Sequence, residues 1–325
     1  MKNKFWFYLL IVLFVPALSL ASEQYQQMQT LLKKMHKAAH SVNYEGTFVY
    51  GQKDQLSSMR LIHSVSNNEE KERLISMDGS GREVIRRGNT VTCILPDSRT
   101  VVVDKSRPVT QFPPVFPMSI KRLETHYSFK VIDGDQVAGR NTQKIMMIPK
   151  DNMRYGHHLW VDDETGLLLK THLLNERAQK LEQFMFTQIS FPDKIPASWL
   201  MPAVSGKEFN WYEADKAAPT DEEFKKTSTW AVEFLPKGFM PDMQRKHVMP
   251  SNAMPIEHMV FSDGLSSVSV FIEKGNNDKK DNLMGSSHVG AVHAHGRKMK
   301  DYHITVIGEV PLATIKMISQ SVRQK

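Results

Sequence analysis

The sequence contains a single cysteine, Cys93, among its 325 residues. One thiol cannot form a disulfide within the chain, so the fold must be stable without internal cross-links. Cys93 lies in the apolar segment "VTCIL". A buried and inert side chain is the simpler interpretation, because a reactive thiol requires basic groups close to it in space.

Catalytic sequence motifs are also lacking. The chain has no G-x-S-x-G elbow, no H-E-x-x-H pair, no phosphate-binding P-loop and no G-x-G-x-x-G turn. We therefore predict no catalytic residues, no cofactor and no enzymatic activity. A hydrolase is the weakest alternative, because no nucleophile and base can be paired from the sequence.

Metal-binding patterns are weak. His288, His293 and His295 lie close together in "SHVGAVHAHGR", and imidazole binds zinc, copper and nickel. That segment contains no cysteine or carboxylate, and histidines in a loop are a poor indicator of a site. We predict no metal, with a histidine site left as the alternative.

The charge is modest for a chain of this length. Lys and Arg number 42 against 35 Asp and Glu, which gives a formal charge of +7. Such a charge suits an acidic partner or an anionic membrane surface without identifying either. It argues against nucleic acid as a partner.

A long apolar run occurs only at the N-terminus. Lys2 and Lys4 precede the run from Phe5 to Leu18, and the small-residue site Ser19-Leu20-Ala21 follows it. This order is typical of a secretory signal peptide, residues 1–21, that is removed on export. An uncleaved membrane anchor is the alternative, but the run is short for a span of about 20 residues.

The rest of the chain predicts an α+β fold in two domains. Apolar residues at steps of three and four indicate a helix over 23–41, and consecutive strands with short turns then indicate an antiparallel sheet. A proline-rich apolar loop, 108–117, interrupts the strands. We predict domains at 22–205 and 228–325, joined by a linker at 206–227. The second domain combines strands with a C-terminal helix that follows Pro311.

The segment "LLLKTHLLN", residues 167–175, is predicted to be a strand that is apolar on both faces. Strict alternation places Leu168, Lys170, His172 and Leu174 on one face and Leu167, Leu169, Thr171 and Leu173 on the other. Both faces of this strand must therefore be covered by other parts of the protein.

An ordered set of segments resembles the RseB/MucB family of periplasmic sigma-E regulators. The segments are "MDGSGREVIRRGNTV", "RYGHHLWVDDETGLLLKTHLLNERAQKLEQFMF", "LPKGF", "MPIEHMVFSDGLSSVSVFIE" and "ITVIGEVP". They run from residue 77 to residue 311, and no single one is decisive. The stretch 192–229 does not align with the family pattern, and "HAHGR" departs from it.

The resemblance implies a fold and a partner. The large domain is expected to be similar to the lipoprotein-carrier fold, a curved antiparallel half-barrel with helices on its concave side. The chain is expected in the periplasm, bound to the periplasmic region of a single-pass, inner-membrane anti-sigma factor of the RseA/MucA type. It would block site-one proteolysis of that factor and be released by lipopolysaccharide or lipid. Self-association into a homo-oligomer is left open.

Two sets of residues are predicted to form binding sites. The first, for the partner, is the hairpin turn at Phe261, Ser262, Asp263, Gly264 and Leu265, for which an ordinary turn is the alternative. The second is an apolar cavity in the large domain, for which a dry packed core is the alternative. Its predicted lining consists of Phe48, Phe112, Val115, Trp160, Leu168, Leu174, Phe184 and Phe186.

A periplasmic lipid or lipoprotein carrier is the alternative function. It would use the same curved sheet, and acyl ligands would then co-purify with the protein. The second domain argues against a carrier, which would need only the first.

Overall fold

The computed structural model describes residues 15–67, 69–104, 116, 121–203, 208–213, 228–248, 255–275 and 283–325. Within these ranges, neither α-helix combines the length and the hydropathy that a bilayer crossing demands. The secondary structure forms two units. We call residues 15–213 the N-terminal unit and residues 228–325 the C-terminal unit.

The N-terminal unit is an open twelve-stranded sheet with helix α1, Val15–Ser41. The strands are β1 Tyr44–Gln52, β2 Gln55–Ser66, β3 Glu69–Ser76, β4 Glu83–Arg87, β5 Thr90–Leu95, β6 Thr100–Asp104, β7 Tyr127–Asp133, β8 Thr142–Pro149, β9 Gly156–Asp162, β10 Leu168–Leu174, β11 Lys180–Ser190 and β12 Asn210–Glu213. Their order across the sheet is β12-β6-β5-β4-β3-β2-β1-β11-β10-β9-β8-β7. Strand β12 pairs in parallel with β6 and belongs to the predicted 206–227 linker, so four residues of that linker are part of the sheet.

Helix α1 covers one face of this sheet, which we call the inner face. Met28, Leu32 and Met35 recur at steps of three and four and pack against Ile145 and Leu159. Fully burying one such side chain contributes about 1.5–3 kcal/mol, so this apolar stripe accounts for much of the docking of α1.

Strand β10 departs from the strict alternation expected from its sequence. A β-bulge lies between Leu168 and Lys170, so that Leu168 pairs with Val161 while Lys170 pairs with Trp160. Leu168 consequently packs beneath α1 in the same cluster as Val161. The prediction that Leu168 and Lys170 share a face is therefore wrong, because the extra residue of a bulge reverses the side-chain direction.

On the outer face of the sheet, two lysine side chains lie against Trp160 of β9, the strand next to β10. The Lys144 and Lys170 ammonium nitrogens lie 4.7 and 4.3 Å from the centre of the Trp160 ring. The aliphatic stems and charges of these lysines shelter the indole through cation–π contact. Lysines of β8 and β10 therefore cover part of this face, together with the buried Val137 and Leu169, which belong to the same cluster as Trp160.

The C-terminal unit contains a six-stranded antiparallel sheet, a two-stranded ladder and helix α2. The elements are β13 Trp230–Val232, β14 Met240–Val248, β15 Pro255–Ser262, β16 Ser267–Lys274, β17 Gly285–Val289, β18 Val292–Met299, β19 Tyr302–Gly308, α2 Leu312–Ser321 and β20 Val322–Gln324. Val268, Val270 and Ile272 alternate along β16 and are buried against Ile315 and Ile318 of α2. This arrangement confirms the predicted sheet with a terminal helix laid on it.

The predicted α+β fold class is confirmed in its main features. A large sheet carries a helix on its inner face, and a smaller sheet-and-helix unit follows it. Two details differ from the expectation. The large sheet includes one parallel pair, β12 with β6, and α1 is the one α-helix among the described residues of the N-terminal unit.

Candidate functional site: the cleft between the two units

The two units are joined around Arg154, which precedes β9. Its Nη1 atom donates a hydrogen bond of 2.7 Å to Asp263 Oδ2, and Nη2 donates one of 2.6 Å to the carbonyl oxygen of Lys237. The guanidinium lies between the rings of Tyr127 and Phe239. The Arg154 and Asp263 side chains both have 0 % exposure. A buried charge pair from two separate units fixes their relative position, because each charge has lost its contact with water.

Asp263 also shapes the turn between β15 and β16. Its Oδ1 atom accepts hydrogen bonds from the backbone nitrogens of Leu265 and Ser266, at 2.9 and 2.8 Å. Gly264 adopts φ +100°, a conformation that favours glycine. The turn therefore has a defined shape, and it packs Leu265 against the cluster that contains Phe116 and α1.

A second set of contacts lies on the other side of the cleft. The Tyr155 hydroxyl donates to the Ala291 carbonyl oxygen at 3.2 Å, and the Ala291 nitrogen donates to Glu182 Oε1 at 3.1 Å. Thr314 donates from Oγ1 to the Met153 carbonyl oxygen at 2.6 Å. Ala291 has 0 % exposure. The units thus meet through two groups of contacts with a cleft between them.

A cavity of about 350 Å³ occupies this cleft on the inner face of the large sheet. Its walls come from both units. The lining residues are Tyr50, Phe116, His157, Thr171, His172, Leu173, Glu182, Gln183, Phe184, Gly264, Leu265, Ser266, Ser267 and Glu309. Ligand-binding cavities of proteins typically measure about 300–1,000 Å³, so this one is at the small end of that range.

Two carboxylates at the cleft come from opposite units. Glu182 of β11 accepts hydrogen bonds from Tyr50 Oη and from Gln52 Nε2, the latter at 2.7 Å. Glu309, which follows β19, keeps contact with solvent at the cavity wall. Partial desolvation in the cleft and the negative charge of Glu182 raise the pKa of Glu309 above its ordinary value. The negative charge of the cleft therefore depends on pH.

His157 lines the same cavity from β9. Burial lowers the pKa of its imidazole to about 4, which keeps the ring neutral at physiological pH. Its Nε2 atom is buried and has no hydrogen-bonding partner among the described residues. Phe116 and Tyr127 pack against the ring at centroid distances of 5.9 and 6.4 Å. The cleft thus presents one neutral polar atom next to aromatic surface.

The structure places the predicted partner-binding residues at this junction. Phe261 and Asp263 are buried, and the Ser262 carbonyl oxygen accepts a hydrogen bond of 3.3 Å from Arg122 Nη2. Gly264 and Leu265 line the cavity. All five residues thus lie at the junction of the two units or within reach of it, and their role in partner binding stays a prediction.

The structure divides the predicted cavity residues among different places. Phe184 lines the cleft but is only 2 % exposed, and its ring packs against those of Phe48 and Phe186, which are buried in the core. Leu168 lies beneath α1, and Leu173 takes the lining position expected for Leu174. Phe112 and Val115 lie outside the described residues.

Trp160 requires a correction. It pairs with Lys170, whereas Phe184 pairs with the next residue, Thr171. Paired residues of neighbouring strands share a face and successive residues alternate. Trp160 therefore lies on the outer face, opposite Phe184, and cannot share a lining with it.

The residues that sequence reasoning missed are those that join the units: Arg154, Tyr155, Glu182, Ala291 and Glu309. Arg154 and Asp263 are 109 positions apart, and no local pattern reports such a pair. The sequence offered one indication of a role for Arg154, because this residue begins the family-like segment "RYGHHLWVD" immediately before a strand.

The three histidines lie in strands and not in the expected loop, His288 in β17 and His293 and His295 in β18. In the described ranges no three His, Cys, Asp or Glu side chains are grouped so that they could hold a metal ion. His293 Nδ1 instead lies 2.9 Å from the Val310 carbonyl oxygen and 3.1 Å from Tyr155 Oη. His295 Nδ1 lies 2.9 Å from Ser286 Oγ. These contacts support a structural role for both rings.

Comparison with known proteins covers both units. The family model described as "MucB/RseB N-terminal domain" matches residues 27–204, and "MucB/RseB C-terminal domain" matches residues 224–323. The sigma factor AlgU regulatory protein MucB of Pseudomonas aeruginosa is 29% identical over 322 residues, which cover 97% of this chain and 96% of that protein. The sigma-E factor regulatory protein RseB of Haemophilus influenzae is 27% identical over 310 residues, 94% of each chain.

Solved structures agree with the sequence matches. The complex structure of Pseudomonas aeruginosa MucA/MucB gives a TM-score of 0.72 at 27% identity and covers 91% of this chain and 98% of that one. A crystal structure of MucB in complex with MucA(peri) gives 0.69 at the same identity and coverage. Because two family models together span both units in the expected order, the chain belongs to the MucB/RseB family.

Proposed function

We propose that this chain is a periplasmic negative regulator of a sigma-E-type envelope-stress response. It binds the periplasmic region of a MucA-type anti-sigma factor and blocks the site-one proteolysis of that factor. The observation that carries this proposal is the match to both MucB/RseB domains, joined here around a cleft lined by both units. The relatives crystallised with MucA support the same partner class.

Protection of the anti-sigma factor requires no catalysis by this protein. A polypeptide segment held between two units cannot adopt the extended conformation that a protease must bind. The cleft offers such a segment an aromatic wall at Phe184, an apolar side chain at Leu265 and hydroxyl groups at Thr171 and Ser267. Both units contribute, so binding depends on how they are docked.

Release by a lipid or lipopolysaccharide-type signal requires two conformations of the protein. A ligand shifts such an equilibrium only by its difference in affinity between them. The junction around Arg154 and Asp263 is the element whose opening would remove one wall of the cleft. A stress ligand that binds more tightly to the conformation with separated units than to the docked one would therefore release the anti-sigma factor.

Lipid carriage, the second candidate, would use the inner face of the large sheet. Phe48, Phe184 and Phe186 supply aromatic surface there, but their rings pack edge to face with one another at 4.9–5.9 Å. Phe48 and Phe186 have 0 and 1 % exposure. This close packing favours a core over an acyl-binding pocket, so we prefer the regulator.

A protease-protection assay tests the proposed function. Purified protein is mixed with the periplasmic segment of the MucA-type anti-sigma factor from the same organism and with the matching site-one protease. We expect the cleavage rate to fall as the protein approaches stoichiometric amounts. The proposal would be wrong if the cleavage rate stayed unchanged, or if a heat-unfolded sample of the protein protected the segment equally well.

A further inference from the structure

The cavity wall between the units combines three kinds of surface. Phe116, Leu173, Phe184 and Leu265 are apolar, whereas Thr171 and Ser267 carry hydroxyl groups. The hydrocarbon of an acyl chain cannot form hydrogen bonds with these polar groups, whereas the backbone amides of a polypeptide can. With a volume of about 350 Å³, the cavity is large enough for one or two side chains of a segment. The lining therefore favours a peptide as the occupant.

The two carboxylates of the cleft, Glu182 and Glu309, differ in the number of hydrogen bonds that they accept. Glu182 accepts hydrogen bonds from Tyr50, Gln52 and the backbone nitrogen of Ala291. Glu309 has no hydrogen bond or ion pair with any residue that the structure describes, and the charge that acts on it is the like charge of Glu182. A cation placed beside Glu309 would therefore relieve a repulsion as well as form a new attraction.

The charged and titratable groups around Glu309 come from several elements. Glu182 and Tyr50 face it from β11 and β1, and Tyr155 faces it from the segment before β9. His157 and His172 also line the cavity, and burial lowers the pKa of both imidazoles to about 4, which keeps the rings neutral. None of these groups supplies a positive charge, so Glu309 has no cation beside it in the described part of the cleft.

His157 gives an independent indication of a ligand. The residue lines the cavity, whereas its Nε2 atom, which has no partner in the described parts of the chain, is itself closed to solvent. An unsatisfied buried polar atom costs about 1–3 kcal/mol, and a backbone amide of an incoming segment would remove this cost once the ring turns towards the cavity.

We propose that the cleft selects a partner segment in which a Lys or Arg lies next to an apolar residue. The apolar side chain enters the cavity against Phe184 and Leu265, and the cation lies against Glu309. This inference rests on the proposed function for the identity of the partner, and it adds the chemistry that the partner must present.

Isothermal titration calorimetry tests the inference with the full-length mature protein. The probe is the recombinant periplasmic segment of the organism's own MucA-type anti-sigma factor. Glu309→Gln removes the charge at nearly constant shape, and Glu233→Gln makes the same change at an exposed site of the C-terminal unit outside the cleft. Thermal melting of both variants checks that they fold.

We expect Glu309→Gln to weaken binding by about twofold to fivefold, the range of a partly exposed ion pair, and Glu233→Gln to leave it unchanged. Wild-type affinity should also fall as the pH is lowered from 8 to 5.5, since protonated Glu309 no longer attracts a cation. This pH dependence should be smaller in Glu309→Gln. Replacing the partner's basic residues singly by Gln should identify one whose effect disappears in Glu309→Gln.

Unchanged or tighter binding by Glu309→Gln would overturn the inference, and tighter binding would indicate that an acidic or apolar part of the segment lies against this position. In that case wild-type binding still supports the proposed function. A folded wild-type protein that does not bind the segment at all removes both.

Discussion

Arg154 and Asp263 form an ion pair of 2.7 Å between the two units, and neither side chain has any exposed area. Each charge is further satisfied within its surroundings, Arg154 by the Lys237 carbonyl oxygen and Asp263 by two backbone nitrogens of its own turn. Arg154 belongs to the N-terminal unit and Asp263 to the C-terminal unit, so their ion pair holds the two walls of the cleft together. The shape of the cleft therefore depends on this junction between the two units.

Loss of one member of this pair should be costly. Asp263→Ala leaves the buried Arg154 guanidinium with Asp151, 3.0 Å from Nε, as its remaining carboxylate among the described residues. Removing one member of a buried ion pair typically destabilises a protein by about 3–5 kcal/mol. Arg154→Met combined with Asp263→Ala removes both charges and should recover part of that loss. Urea unfolding followed by tryptophan fluorescence measures the difference, because each unit contains a buried tryptophan, Trp160 and Trp230.

The half-exposed pair of Glu233 and Arg323, with 3.7 Å between its nearest charged atoms, provides the control. Glu233→Ala should change stability by less than about 1 kcal/mol. If Asp263→Ala cost no more than this control, the buried pair would not fix the junction.

Leu265 and Phe261 should behave differently although both belong to the predicted partner-binding turn. Leu265 lines the cavity and is partly exposed, whereas Phe261 is 3 % exposed in the core of the C-terminal unit. Leu265→Ala should therefore weaken binding of the anti-sigma segment with a modest loss of stability. Phe261→Ala should destabilise the unit by about 3–5 kcal/mol.

Calorimetric binding and urea unfolding of the same two variants separate these effects. Equal affinity of Leu265→Ala and the wild-type protein would exclude this side chain from the binding site.

The features predicted correctly from sequence are local ones. The helix predicted over 23–41 lies within α1, Val15–Ser41, and the helix predicted after Pro311 is α2, Leu312–Ser321. In both cases neighbouring residues carry the whole signal, since apolar residues at steps of three and four, or a proline before the first turn, act within a few positions.

The features that were missed depend on long-range pairing. The bulge in β10 moves Leu168 to the inner face, and it follows from how β9 pairs with β10 and not from the β10 sequence itself. Trp160 was assigned to the wrong face for a related reason, since only the register against Lys170 shows its side. The cleft joins Glu182 to Glu309 through the docking of two separately folded sheets, about which neither strand carries a local signal.

His157 should make the protein less stable in acid. Burial lowers its pKa to about 4 in the folded chain, against 6.5 as the ordinary value. The unfolded chain therefore binds the proton more readily between these values, and stability falls as the pH drops from about 6.5 towards 4. The contribution of this one group amounts to about 1–3 kcal/mol.

Urea unfolding at pH 7.5 and pH 5 measures this contribution. His157→Gln should lose less stability than the wild-type protein between the two values, because glutamine does not titrate. His288→Gln, at an exposed position of β17, serves as the matched control and should behave as the wild type does. An identical acid dependence of all three proteins would contradict the assignment.

Phe184 and Trp160 provide the most direct test of which face of the large sheet binds the partner. Phe184 lines the cleft, whereas Trp160 lies on the outer face between Lys144 and Lys170. Phe184→Leu shortens the aromatic wall and should weaken binding of the anti-sigma segment by about fivefold, the equivalent of roughly one buried methylene. Trp160→Phe, a similar reduction of a buried ring, should leave the affinity unchanged. Calorimetric titration of both variants with the same segment makes the comparison, and the opposite ranking would move the binding site to the outer face.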